Sequence, residues 1–237
     1  TCNWGEAPYS SDTAIDLVNS VQTALTAVST AGTLSYDFWA SDRSDMPSMN
    51  SSLAIGVWKG VTSNLAFDSG DGNRGAVLTF RYDDQKKAAL SASDLRNRNL
   101  LIVRCNYDSQ NQVWVKADEI RTSLDETNKL TTSRKLTEVT DLNSLFIVVY
   151  PIMGDANLDG YVDVGDLGIL AANYGMTSGA TWLVGDFNGD GAVNVGDLGI
   201  LTANYDSTGD SIIGDFNDDQ VLDENDLELW MKSFDFE

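Results

Sequence analysis

The chain has 237 residues, enough for one large domain or for two smaller domains with separate cores. Its 36 acidic and 15 basic residues give a formal net charge of -21, which makes nucleic acid an unsuitable partner. The absence of histidine excludes Ser-His-Asp and Cys-His catalysis, histidine-bound zinc and histidine-ligated haem. No apolar run reaches the roughly 18 residues that cross a bilayer, so no membrane span is expected.

The first predicted element is a helix at about residues 12–30. Ser11 is a suitable N-cap, because its hydroxyl can accept a hydrogen bond from a backbone N–H of the first turn. Apolar residues then recur at intervals of three and four, as one face of a helix requires. These residues are Ile15, Val18, Val21, Leu25 and Val28.

Between Thr33 and Tyr150 the pattern changes to short alternating runs rich in Val, Ile, Thr and aromatic residues. Turn-rich stretches separate these runs, and no helical pattern intervenes. Strands at this density predict an antiparallel β-sandwich. One of the turns, DSGDGN from Asp68, could hold a cation, but a solvated hairpin turn is the simpler interpretation.

Three tryptophans of this region allow two interpretations. Trp39, Trp58 and Trp114 could form a platform on which sugars stack, or they could be core residues, as aromatic side chains on sandwich strands usually are. A pair of glycosidase carboxylates cannot be recognised from spacing along a sequence, so no catalytic residue is assigned.

The acidic residues are concentrated after Pro151, where the chain has 18 acidic residues and one basic residue, Lys232. Bound divalent cations would relieve the resulting repulsion. The same region holds three copies of one repeat, at 154–174, 185–205 and 214–234. The first begins GDANLDGYVDVGDLGIL and the second GDFNGDGAVNVGDLGIL, while the third has diverged.

Each repeat fits a twelve-residue EF-hand loop, which offers oxygen ligands to calcium from positions 1, 3, 5, 7, 9 and 12. Position 7 contributes a backbone carbonyl. In the first loop these positions are Asp155, Asn157, Asp159, Tyr161, Asp163 and Asp166. In the second they are Asp186, Asn188, Asp190, Ala192, Asn194 and Asp197, and in the third Asp215, Asn217, Asp219, Val221, Asp223 and Asp226. The predicted cofactor is therefore Ca²⁺.

The third loop is expected to bind calcium more weakly than the other two. Position 6 usually needs a backbone conformation that glycine adopts cheaply, and it is Gly160 and Gly191 in the first two loops. In the third loop it is Gln220, for which that conformation costs about 1 kcal/mol or more.

Nothing helical precedes Asp155 or Asp186, and position 12 is Asp rather than the Glu of calmodulin-type EF-hands. A duplicated loop with an exit helix resembles type I dockerin repeats, and this resemblance covers Gly154 to Tyr205. The resemblance implies that a calcium-stabilised pair of helices docks onto a cohesin domain of another protein. The partner-contacting positions that it implies are Val164, Gly165, Val195 and Gly196, which differ from the hydroxyl-bearing pairs common in cellulosomal members.

The predicted fold class is multi-domain. Residues 1–150 are expected to form a mainly antiparallel, Ig-like β-sandwich with one N-terminal helix, and its part from Gly75 onward resembles modules that precede dockerins in secreted bacterial proteins. Residues 151–237 are expected to form a small α-helical dockerin-like domain with the three calcium loops.

The predicted function is a non-catalytic, calcium-dependent docking module at the C-terminal end of a secreted or cell-surface bacterial protein, with a cohesin-like partner. One alternative is a self-assembling subunit of an extracellular layer that calcium stiffens. Another is a polysaccharide-active enzyme or a carbohydrate-binding protein.

The two cysteines, Cys2 and Cys105, form no CxxC pair. An oxidising extracellular setting would favour a disulfide between them. Such a bond would close a loop of about 100 residues, worth roughly 4 to 5 kcal/mol in the chain-entropy model. The alternative is two free thiols.

Overall fold

The computed structural model describes residues 20–82, 87 and 100–206, which belong to two compact units. Apart from Lys87, the described residues up to Tyr150 form the first unit, and those from Pro151 onward form the second. The strands of the first unit are β1 Val21–Thr26, β2 Val28–Thr30, β3 Thr33–Phe38, β4 Ala54–Ser63, β5 Ala66–Phe67, β6 Gly75–Arg81, β7 Leu101–Asp108, β8 Val113–Glu119, β9 Arg121–Asp125, β10 Leu130–Ser133 and β11 Leu145–Val149.

The strands of the first unit form antiparallel sheets. Four strands pair in the order β1-β6-β10-β9, and five pair in the order β3-β4-β11-β7-β8. The short strands β2 and β5 form a separate pair. Short 3-10 turns at Ser51–Leu53 and Val139–Asn143 lead into β4 and β11.

The two larger sheets meet through aromatic side chains. Alternation along β6 turns Ala76, Leu78 and Phe80 to the same side, where all three are completely buried. The ring of Phe80 lies 4.9 Å from that of Trp58 on β4 and 5.8 Å from that of Phe146 on β11. The core of the first unit therefore lies between the two sheets, and Trp58 is part of it.

The helix predicted at about residues 12–30 is wrong over the part that the structure describes. Residues Val21–Thr26 and Val28–Thr30 are strands, and β1 pairs with β6 along its whole length. Val21 and Thr23 are both buried, which is the two-residue period of a strand. Their branched Cβ atoms favour extended backbone, and pairing with β6 adds the stabilisation that a helix would lack. Residues 12–19 lie outside the described residues.

The predicted fold class is also wrong about the second unit. Between Pro151 and Asp206 the structure has two short α-helices, α1 Val164–Asn173 and α2 Val195–Ala203, and a 3-10 turn at Trp182–Val184. The rest of this segment consists of loops and turns, so the described residues form no α-helical dockerin domain. The two helices have only ten and nine residues. No helix among the described residues is both long and apolar enough to span a membrane.

Cys105 lies on β7 and is completely buried. Its burial raises the pKa of the thiol to about 12, so the thiol stays protonated at neutral pH. Cys2 lies outside the described residues, and the pairing of the two cysteines remains a prediction.

Candidate functional site: two acidic loops

The first acidic loop, residues 155–166, is closed by its first side chain. Asp155 Oδ2 accepts a hydrogen bond of 3.0 Å from the backbone N–H of Gly160. Gly160 has a φ of 96°, a conformation that side chains with a Cβ rarely adopt, so position 6 makes the sharp turn. Closing the loop in this way holds the other carboxylate oxygen, Asp155 Oδ1, inside it.

Asp155 Oδ1 is buried and has no hydrogen-bond partner among the described residues. The whole residue has no exposed surface. Burial, and secondarily the nearby charge of Asp166, raises the pKa of Asp155 to about 7. A buried carboxylate oxygen without a donor is costly, and a bound cation would supply the missing charge. Carboxylate oxygens are among the ligands that calcium prefers.

Asp166, in the first turn of α1, ties the end of the loop to its beginning. Its Oδ1 accepts hydrogen bonds from the N–H groups of Ala156 and Asn157 at 2.8 and 3.1 Å, and its Oδ2 accepts one from Asp163 at 2.9 Å. Asp163 in turn caps the helix. Asp166 is completely buried, and burial raises the pKa of this carboxyl group. Helix α1 is thereby held in a fixed position relative to the loop.

The remaining predicted ligands of the first loop make local hydrogen bonds. Asn157 Nδ2 donates to Asp159 Oδ2 at 2.8 Å, and Tyr161 N–H donates to Asp159 Oδ1 at 3.0 Å. Asp163 Oδ1 accepts from the N–H of Gly165 at 2.6 Å. Within the described residues, no group of three or more His, Cys, Asp or Glu side chains is arranged to hold a metal ion. In this geometry the carboxylates bind loop N–H groups, and Asp155 Oδ1 is a buried oxygen without a hydrogen-bond partner among the described residues.

The second acidic loop, residues 186–197, repeats this geometry. Asp186 Oδ2 accepts from Gly191 N–H at 2.8 Å, and Gly191 has a φ of 82°. Asp197 Oδ1 accepts from Phe187 at 2.9 Å, and its Oδ2 accepts from Asn194 at 2.9 Å. Asn194 is the N-cap of α2 and replaces the Asp163 of the first loop. Asp190 accepts from the N–H of Ala192 at 2.9 Å and from the side chain of Asn188 at 3.0 Å.

The two loops differ at their first residue. Asp186 Oδ1 accepts hydrogen bonds from the N–H groups of Gly189 and Asp190 at 2.8 and 3.2 Å, whereas Asp155 Oδ1 accepts none. Burial raises the pKa of Asp186 as well. The Asp155 carboxylate is therefore less well compensated by hydrogen bonds than the Asp186 carboxylate, and it would gain more from a bound cation.

In the second unit, each acidic loop is hydrogen-bonded to the segment that follows the helix of the other repeat. Val193, at position 8 of the second loop, exchanges hydrogen bonds with Gly175 and Met176, which follow α1. Val162, at the same position of the first loop, accepts one at 2.8 Å from Asp206, which follows α2. Each loop is therefore braced by the chain leaving the other repeat.

The predicted partner-contacting residues lie at the two helix starts. Val164 and Val195 are 70% and 71% exposed, unusually high values for valine. Gly165 and Gly196 donate their N–H groups to the capping side chains. Tyr174 and Tyr205, which follow the two helices, are exposed.

The third predicted loop lies outside the described residues. This applies to all of its predicted ligands, which are Asp215, Asn217, Asp219, Val221, Asp223 and Asp226.

Comparisons with known proteins identify no relatives. No protein-family model matches the chain, and no curated protein or solved structure is significantly similar to it.

Proposed function

We propose that the second unit binds calcium in its two acidic loops and serves as a calcium-dependent docking module for a cohesin-like protein partner. The observation that carries this proposal is the buried Asp155 Oδ1, which has no hydrogen-bond partner among the described residues. The resemblance of the two repeats to dockerin repeats supports the same function. The proposed function requires only these loops and the two short helices, and no α-helical domain.

The described part of the second unit that contains the loops has no basic residue. Residues 151–206 contain eight acidic residues and no lysine, arginine or histidine. Asp155 and Asp166 would hold the ion together with the other predicted ligands of the loop, and the bound ion would supply compensating positive charge. Asp155 closes the turn and Asp166 belongs to α1, so both ends of the loop depend on the same site.

Docking would take place at the helix starts. Val164 lies two residues before Asp166, and Val195 lies two residues before Asp197, the buried carboxylates in the first turns of the helices. A bound ion that stiffens a loop would therefore also fix the position of its exposed valine. Both valines are free to bury their side chains against a partner, which would stabilise the complex by the hydrophobic effect. The acidic surroundings favour a partner whose surface combines an apolar centre with basic residues.

Replacing both Val164 and Val195 by Asp is expected to weaken partner binding by at least about tenfold, because burying a new carboxylate in an apolar contact is unfavourable. The measurement is surface plasmon resonance against a panel of purified cohesin domains, with calcium and with chelator. Val28→Asp is the matched control, because Val28 is an exposed valine of the first unit.

The proposal requires that at least one cohesin binds the unaltered protein in calcium and that chelator releases it. Binding that persists in chelator, or that the double variant retains in full, would contradict it. If no cohesin binds while calcium drives self-association in analytical ultracentrifugation, the docking function is wrong and the protein is an assembly subunit.

A further inference from the structure

The first unit has a concave site on its five-stranded sheet that the acidic loops do not explain. Two depressions, of about 400 and 380 Å³, share Trp114 as a common wall. The larger is lined by Trp39, Asp45, Lys59, Tyr107, Trp114 and Asn143. The smaller is lined by Met46, Ser48, Val113, Trp114, Val115 and Lys116.

Three aromatic rings form the walls of the larger depression. Tyr107 on β7 and Trp114 on β8 face each other in the strand register, with ring centroids 5.1 Å apart. Trp39, just after β3, meets Trp114 edge to face at 6.2 Å. Tyr107 is 50% exposed, so its ring is open to a ligand, whereas Trp114 is 5% exposed and forms the floor.

Polar groups around these rings are held in place by the protein. Asp45 is bound by the Arg43 guanidinium at 2.9 and 3.0 Å, and Arg43 lies 4.0 Å above the ring of Trp39. Lys59 Nζ lies 5.2 Å from the Trp114 ring and donates to the backbone carbonyl of Asn143 at 2.7 Å. The charges of the site are thus already compensated or engaged, which favours a neutral ligand over a charged one.

The larger depression offers a hydrogen-bond acceptor beside its aromatic rings. Asp45 lines it together with Trp114, and its side chain is 25% accessible. The pKa of this carboxyl group is lowered mainly by the Arg43 hydrogen bond, with a smaller contribution from the Trp114 indole, so Asp45 is a carboxylate that can accept hydrogen bonds. A hydroxyl group of a ligand can donate to it.

We propose that this site binds a neutral carbohydrate chain, with a pyranose ring against Tyr107 and a sugar hydroxyl that donates a hydrogen bond to the Asp45 carboxylate. A pyranose has an apolar C–H face that suits an aromatic ring and a rim of hydroxyls that suits fixed polar groups. The adjoining second depression gives room for a neighbouring sugar unit, so a polysaccharide fits better than a free monosaccharide. The site lies in the first unit and does not depend on the calcium loops.

The test is isothermal titration of the full chain with hexasaccharides of β-1,4-linked glucose, mannose and xylose, each up to millimolar concentration. At least one is expected to bind saturably. Tyr107→Ala should weaken that binding by about tenfold or more, because the open aromatic face is lost. Tyr107→Phe, which keeps the ring, should retain most of the affinity.

Phe38→Ala is the matched control, because Phe38 is an exposed aromatic residue, 52% accessible, that lines neither depression. It should bind sugar like the unaltered protein, and circular dichroism should show all variants folded. Binding should also be unchanged in chelator. The proposal is overturned if none of the three hexasaccharides binds saturably, or if folded Tyr107→Ala binds as tightly as the unaltered protein.

Discussion

Replacing both Asp155 and Asp186 by Asn is expected to abolish the stabilisation of the protein by calcium. Asn keeps the size of the side chain and an acceptor for the position-6 N–H, but it removes the negative charge that the ion needs. An ion present at about 100 times its dissociation constant stabilises the folded state by roughly 2.7 kcal/mol per site. The measurement is thermal unfolding with calcium and with chelator.

The single variant Asp155→Asn should unfold at a higher temperature than the unaltered protein when both are in chelator. The reason is that Asp155 Oδ1 is buried without a partner, and removing its charge relieves that cost. Asp206→Asn is the control, because Asp206 is exposed and outside both loops. A full calcium response in the double variant would show that these residues do not hold the ion.

Trp58→Ala is expected to destabilise the first unit by about 3 to 5 kcal/mol, the usual cost of emptying a large aromatic site in a core. Trp58 is 1% exposed and packs against Phe80 of the opposite sheet, so its loss leaves a cavity between the sheets. Urea unfolding monitored by circular dichroism measures the effect.

Phe38→Ala provides the comparison for this prediction. Phe38 contacts the same Trp58 ring at 5.6 Å but is 52% exposed, so its truncation should cost much less than that of Trp58. Equal costs for the two variants would mean that the aromatic cluster between the sheets does not form the core.

The acidic loops could be predicted from the sequence because their geometry is local. Positions 1, 6 and 12 are fixed by spacing along the chain, and Gly160 and Gly191 indeed adopt positive φ. Which carboxylate oxygen stays without a partner depends on the folded loop, so the special status of Asp155 could not be predicted.

The N-terminal helix was mispredicted because two periodicities coincide in one segment. Val21, Leu25 and Val28 fit a helix, yet Val21 and Thr23 also fit a strand, and pairing with β6, more than 50 residues away, decides between them. The sequence also could not show which tryptophans are core residues and which line a surface depression. Trp58 proved to be core, whereas Trp114 meets Tyr107 only through the pairing of β7 with β8.

The most direct test of the proposed function is calorimetric titration of calcium into the chelator-treated full chain. Uptake of at least two ions, with a higher unfolding temperature in calcium than in chelator, is the predicted result. The double variant Asp155→Asn, Asp186→Asn should take up two fewer ions than the unaltered protein. Absence of calcium uptake by the unaltered protein would contradict the proposal and leave Asp155 as a buried carboxylate with no counterpart.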